Sequence, residues 1–533
     1  MQRKRKGNGF PPVFTCFTER NGLKMHPGSC QGTDRGRDPE GFGMPANTVH
    51  AKGRRVYHPA GTIPDYQPVP SPGGEAGQEE RDVMNDGDRS REPVAMSGSP
   101  ARDTIDVRAL DRKIWWRIIP FAVVLYVISI LDRANIGFAA LTMNADLGID
   151  PYVFGIISGI FFVSYILFQV PASQLLAKTG ARTWLTLTIV SWGVITILMS
   201  FAGTPLELGV LRFLLGAAEA GFSPGLILYL SFWFRRDGIT RALAVFFAAI
   251  PLAMVIASPV SAFILSHSAW MGIAGWRWLF ILEGAPAVLF GLLVLVVLPD
   301  LPENASWLTA EERAWLSVRV EGARVCTETR LSLPLRELAA VPRFSLLCAG
   351  SFLVGLFLTG LLFWIPQIIR NSGISRSVSD IALLVMLPYG ISVIAMYGWS
   401  RHSDRKGERL RHVALPAALA GLFLVMLSLF PLTIAGFFLL SGAIIACYMA
   451  YAPFSALTVE TFPPALRACG IALVSTAGSL GSFLGPVLIG LEGGRLAGSL
   501  TAALGILLAG IAFLLIRSEE PRESPDRDNG GTA

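Results

Sequence analysis

Long apolar runs dominate this chain. Between Trp115 and Leu515 stretches of twenty or more apolar residues recur, separated by short polar loops. As helices, such runs cross a hydrocarbon core of roughly 30 Å. A membrane barrel would alternate apolar and polar residues instead. The reading is therefore an all-α, multi-pass membrane protein. Of the 533 residues 52% are hydrophobic and 16% charged, against about 25% charged in ordinary soluble domains. The net charge of +6 comes from a basic tail and inter-span loops, so it signals topology rather than nucleic-acid binding.

The pattern predicts twelve spans, centred near residues 128, 164, 192, 220, 254, 287, 355, 389, 421, 445, 477 and 505. Residues 1–110 are rich in Gly, Pro and charge, with no apolar period, and are expected to be disordered. The basic start MQRKRKGNGF precedes no apolar stretch, so it does not read as a signal peptide. Met96 lies just before the basic juxtamembrane segment and is the expected translation start. Residues 112–298 form a first six-span half, 299–342 a charged linker, 343–516 a second half and 517–533 a disordered tail. The linker carries a capping box, Thr309 to Glu312, leading into an amphipathic helix with Trp315 and Leu316 on one side. Lys178, Arg182, Arg235, Arg236, Arg241, Arg401, Arg405 and Arg409 fall on one side of alternating spans. Both termini are then expected in the cytoplasm, with the chain in the cell (inner) membrane.

Charges inside the spans carry the chemistry. Asp132 and Arg133 interrupt the first span, Arg212 and Glu219 the fourth. An ionised group at mid-bilayer costs roughly 2.5–3.5 kcal/mol and by default marks an ion or solute path. At helical spacing Asp132, Asn135 and Ala139 share one stripe, and Arg133, Gly137 and Ala140 the next. Arg212, Gly216, Glu219 and Ser223 share a third. The small residues read as room for a helix or a ligand. A guanidinium fork suits a carboxylate. Desolvation and an adjacent guanidinium pull a carboxyl's proton affinity in opposite directions. Two acids and two arginines sum to zero and are expected to satisfy one another. Protonating the acids would free both arginines for an anion. The competing reading is a structural ion-pair set joining spans 1 and 4.

Other signals fail. The six cysteines lack metal or disulfide spacing, and His267, His402 and His412 read as isolated. GSLGSFLG follows no strand and reads as helix packing, and no phosphate-binding loop occurs. No cofactor or metal is expected. Trp364, Gln367, Tyr389 and Tyr448 in the second half read as core or boundary residues.

Several segments carry a family resemblance. SRHSDRKGERLRH, with Asp404, Arg405, Gly407 and Arg409, resembles the cytoplasmic loop motif of the major facilitator superfamily. SQLLAKTGAR resembles its first-half counterpart, with Lys178, Gly180 and Arg182 but Ala177 where Asp is usual. LDRANIGFA, RFLLGAAEAGFSPG, GWRWLFILEGAPAVL and SWLTAEERAWL together resemble the anion:cation symporter family, in its tartrate-transporter-like branch. The resemblance implies two six-helix halves and proton coupling at Asp132 and Glu219. It implies anion binding at Arg133 and Arg212, with Tyr165 in the binding site, and Asn135 joins them from the stripe. Gln169, Ser173, Ser475, Thr476 and Ser479 depart from that branch. The expected function is proton-driven import of a small organic anion by a monomer, such as a hydroxy-dicarboxylate, a sugar acid or an aromatic carboxylate. The alternatives are efflux by the same fold, a solute receptor, or a membrane enzyme using Asp132 and Glu219 as an acid/base pair.

Overall fold

The structure is a computed structural model that describes residues 105–234, 236–267, 270–324, 335–429, 432–463, 466–494 and 510. The expectations for residues 1–104, Met96, the span near residue 505 and the 517–533 tail lie outside the described residues. Among the described residues every long element is helical: α1 (Val107–Leu147), α2 (Pro151–Thr179), α3 (Ala181–Met199), α4 (Pro205–Glu219), α5 (Phe222–Ser231), α6 (Arg236–His267) and α7 (Gly275–Val297) come first. They are followed by α8 (Ala310–Arg324), α9 (Leu335–Ala339), α10 (Phe344–Asn371), α11 (Val378–Lys406), α12 (Leu410–Ser428), α13 (Ile434–Thr461) and α14 (Arg467–Leu491). Eleven spans long and apolar enough to cross a membrane are found, α4 and α5 forming one of them.

Helix α1 begins at Val107, earlier than the expected 112, because Asp106 caps it. Its carboxylate accepts from the Arg108 and Ala109 amides at 3.0 and 3.1 Å. At 41 residues and 1.5 Å per residue, α1 is about 60 Å long, twice the hydrocarbon thickness. Its first turns therefore project from the membrane, and there Lys113 reaches Glu312 of α8 at 2.8 Å. The capping box is formed at the start of α8. The Thr309 amide donates to Glu312 at 2.8 Å, and the Glu312 amide to the Thr309 hydroxyl at 3.2 Å.

The fourth span is not one helix. It breaks between α4 and α5 at Ala220–Gly221, where the Trp184 indole donates to the Gly221 carbonyl at 3.0 Å. A Cβ at Gly221 would strike that ring, so glycine is required there. The break places Glu219 at the end of a half-helix inside the membrane.

In the first half α3 packs on α7, α1 on α6 and α7, and α2 on α4; in the second α10 packs on α14 and α13 on α11 and α12. The halves meet along α2–α14, α6–α11 and α1–α10. At the end where α1 and α10 finish, backbones touch. A Cβ at Gly155 or Gly159 would come within 2.6 Å of the Pro486 or Phe483 carbonyl, and one at Gly490 within 2.5 Å of that of Pro151. Arg370 donates to the Leu141 carbonyl, and Asn144 to Gln367 at 3.2 Å. This loop-poor end is sealed. The glycines of GSLGSFLG do serve packing: a Cβ at Gly481 or Gly485 would run into the Phe352 or Leu356 carbonyl of α10.

Two outcomes follow. Gly159→Leu should wedge α2 from α14, costing about 1–3 kcal/mol by overpacking, read as a lower thermal-unfolding midpoint of the purified protein. Burial pushes the Glu312 carboxyl up, but the Lys113 and Thr309 donors outweigh it and hold it below the usual glutamate range. The stability this adds is present above the ordinary value of about 4.3 and is lost as pH falls through the lower folded value. Protease sensitivity of the α8 segment should therefore rise only at pH below about 4.

Candidate functional site

Four charged side chains converge between α1 and α4. Asp132, Arg212 and Glu219 are fully buried, and Arg133 nearly so. The Arg133 Nε donates to Glu219 Oε2 at 2.7 Å, and its Nη2 lies 2.7 Å from the same oxygen. The Ser129 hydroxyl adds a second donor at 3.4 Å. Glu219 Oε1 has no hydrogen-bond partner among the described residues. Asp132 pairs with neither arginine. It accepts from the Thr196 hydroxyl of α3 at 2.9 Å and the Asn135 amide at 3.3 Å. The expectation that four charges satisfy one another holds for one pair only, because α1 turns adjacent residues about 100° apart, sending Arg133 to α4 and Asp132 to α3.

Arg212 is the outlier. Nε, Nη1 and Nη2 all lack a hydrogen-bond partner among the described residues. Its guanidinium carbon sits 5.4 Å from the Phe161 ring centre and 5.5 Å from that of Phe363 on α10. Arg133 lies over Phe161 and Tyr165 at 5.2 and 5.4 Å. Aromatic faces attract the cations without using up their N–H groups. Tyr165 thus stands beside the site.

Of the two expectations for the stripes of small residues, a helix or a ligand, Gly216 and Gly137 meet the first. A Cβ at Gly216 would meet the Phe161 carbonyl and the Ser164 hydroxyl, so Gly216 seats α4 on α2. A Cβ at Gly137 would come within 2.8 Å of the Phe363 carbonyl, so Gly137 seats α1 on α10. Neither leaves room beside a guanidinium.

Sequence reasoning missed three groups. Tyr126 and Tyr451 lie near Arg133 and Tyr165; a tyrosine in a span carries no mark that separates ligand contact from packing. Glu283 of α7 is 95% buried at 5% exposure, accepts from the Ser261 hydroxyl at 2.8 Å and lies near Asp132 and Asn135. It interrupts its span as Asp132 does, and that signal was available. Trp364 is core, its indole donating to the Pro486 carbonyl at 3.0 Å, and Tyr389 packs edge-on to Tyr448 at 5.8 Å. The Thr476 and Ser479 hydroxyls bond back to carbonyls of their own helix.

At the opposite end, Asp404 and Arg409 pair, and Arg409 Nε reaches Glu460 of α13 at 3.3 Å. Gly407 ends α11 at φ +63°, where a side chain would be strained. Arg405 has no ion pair among the described residues. In the first-half motif Lys178 is exposed and Gly180 turns at φ +79°. Asp300, following α7, accepts from the Arg182 amide at 3.4 Å. His402 and His412 are not isolated. Their ring nitrogens lie 2.8 Å apart, and Glu408 is 2.8 Å from His412. No metal cluster occurs among the described residues.

Removing one partner of a buried ion pair costs about 3–5 kcal/mol, and removing both costs far less. Arg133→Met should lower the thermal-unfolding midpoint sharply, and Arg133→Met combined with Glu219→Met should recover most of the loss.

Comparison with known proteins places this geometry. The sequence profile of the Major Facilitator Superfamily matches residues 122–486. A putative tartrate transporter of Agrobacterium vitis is 41% identical over 79% of this chain and 93% of its own. A quinolone resistance transporter of Acinetobacter baumannii is 34% identical over 76% of this chain and 91% of its own. The xylose transporter XylE from E. coli, in an inward open conformation, shares the fold with a TM-score of 0.62, 14% identity and coverage of 77% and 98%. The chain belongs to the Major Facilitator Superfamily, in its tartrate-transporter-like branch, and is a multi-pass membrane transporter rather than an enzyme.

Proposed function

We propose that this transporter imports a small organic anion together with protons, by alternating access of its two halves. The observation that carries the reading is Arg212, a fully buried guanidinium with three nitrogens unbonded. A buried cation of this kind recognises a group that brings both charge and acceptors, and a carboxylate fits its fork. Arg133 is the second fork, held by Glu219. A proton on Glu219 weakens that pair and hands Arg133 to a second carboxylate. Anion and proton then enter together because each removes the other's electrostatic cost. Asp132 acts as the further proton acceptor, held by Thr196 and Asn135. Tyr165 borders the anion.

The relative named a putative tartrate transporter supports a hydroxy-dicarboxylate first, with sugar acids and aromatic carboxylates in the same chemical class. By the basic-residue rule the loops carrying Lys178 and Arg405 face the cytoplasm, as do both termini. The sealed, loop-poor end then faces outward across the inner membrane. Asp404, Arg409 and Glu460 serve as the cytoplasmic latch, with Lys178, Gly180 and Arg182 as its first-half counterpart, and a single chain suffices. The relative named a quinolone resistance transporter favours a second reading, export through the same fold.

Proteoliposomes with an alkaline lumen test this with labelled tartrate, competed by sugar acids and aromatic carboxylates. Accumulation should collapse with a protonophore. Arg212→Lys should cut uptake at least about tenfold, since a point charge does not replace the fork. Glu219→Gln should retain exchange but lose accumulation. Uphill accumulation by Glu219→Gln, or proton-driven movement only of neutral or cationic drugs outward, would overturn the reading.

A further inference from the structure

Charge counting inside the first half does not balance. Asp132, Glu219 and Glu283 are three buried acids, against two arginines, Arg133 and Arg212. Full ionisation leaves one negative charge without a counterpart, and an unpaired ion out of water costs several kcal/mol. One bound proton cancels the excess. Its position is narrowed by the partners. Glu219 has Arg133. Asp132 and Glu283 accept hydrogen bonds from neutral donors only, Thr196 and Asn135 for the first and Ser261 for the second, while Glu219, Arg212 and Arg133 face Asp132 without a direct ion pair.

The surroundings of Glu283 are specific. From α1 it faces Asp132 and Asn135, and from α6 Ser261. From α3 comes Thr196, held on Asp132. The one cation on its own helix, Arg277, is turned to the Ser200 carbonyl. Glu283 Oε2 has no hydrogen-bond partner among the described residues, and neither has Asn135 Oδ1. Ser261 therefore anchors one carboxyl oxygen and leaves the other free to take a proton. Asn135 lies one turn from Asp132 along α1, toward the sealed end, donates to Asp132 and lies near Glu283.

We propose that Glu283 and Asp132 form one two-carboxyl proton site, sharing and exchanging a single proton between α7 and α1. In each transfer the O–H bond of one carboxylic acid breaks and its electron pair stays on that carboxylate. A new O–H bond forms on the other acid, and the net charge of the cluster is unchanged. The site rests on the proton-coupled reading but titrates without any transported solute.

The test is an infrared pH titration of the full chain in phospholipid, following carboxyl C=O bands in wild type, Asp132→Asn, Glu219→Gln and Glu283→Gln. Glu283→Gln keeps an acceptor for Ser261 and should remove one band. It should also displace the midpoint of the Asp132 band by about one pH unit or more, roughly tenfold in proton affinity. Asp132→Asn should displace the Glu283 band reciprocally, and this arm decides the matter if Glu283→Gln does not fold. Ser261→Ala, which keeps both acids, should preserve the coupling. A Glu283 band that never titrates, or midpoints that do not respond to each other, overturns the shared site. Uptake indifferent to a pH gradient would instead sink the proposed function and leave coupled titration standing.

Discussion

The desolvated ion pair between Arg133 and Glu219 organises this protein. Neither side chain is affordable alone in a hydrocarbon-thick interior, so each exists there because of the other. The pair ties the middle of α1 to the end of α4, where the fourth span breaks. Glu219 sits at that break because Trp184 and Gly221 lock the discontinuity. The electrostatic site and the interrupted helix are thus one construction.

Arg212 depends on the same arrangement. Phe161 lies against both arginines, and Phe363 reaches Arg212 from the second half. Arg212 is therefore held by aromatic faces from both halves, a contact that any movement between the halves must change. Gly137 and Gly216, by letting backbones touch, set how near those faces come.

Much of the architecture was legible in the sequence because lipid permits few solutions. Apolar runs longer than a bilayer must be helices, and the linker's capping box marks a helix start wherever it occurs. The break at Ala220–Gly221 was not legible, since small residues in a span equally well mark close packing. For that reason Gly137 and Gly216 read as room for a helix or a ligand alike, and each is filled by a neighbouring backbone. Nothing in the sequence pairs Arg370 with the Leu141 carbonyl, and only the approach of α1 brings them together. Glu283 is a different case. It sits alone in an apolar run and obeys the rule that exposes Asp132, but the aromatic residues around it drew the segment into a motif.

The two ends of the molecule are held by different physics. The loop-poor end is held by backbone contact and by donors on neutral carbonyls and amides, Arg370 on Leu141 and Asn144 on Gln367. The loop end relies on charge meeting charge, Asp404 and Glu460 about Arg409. Mobile ions weaken exposed pairs and leave steric contact untouched, with a screening length of about 8 Å at physiological strength. The ionic strength on one face of the membrane thus becomes a thermodynamic variable for this carrier, acting on one end and sparing the other.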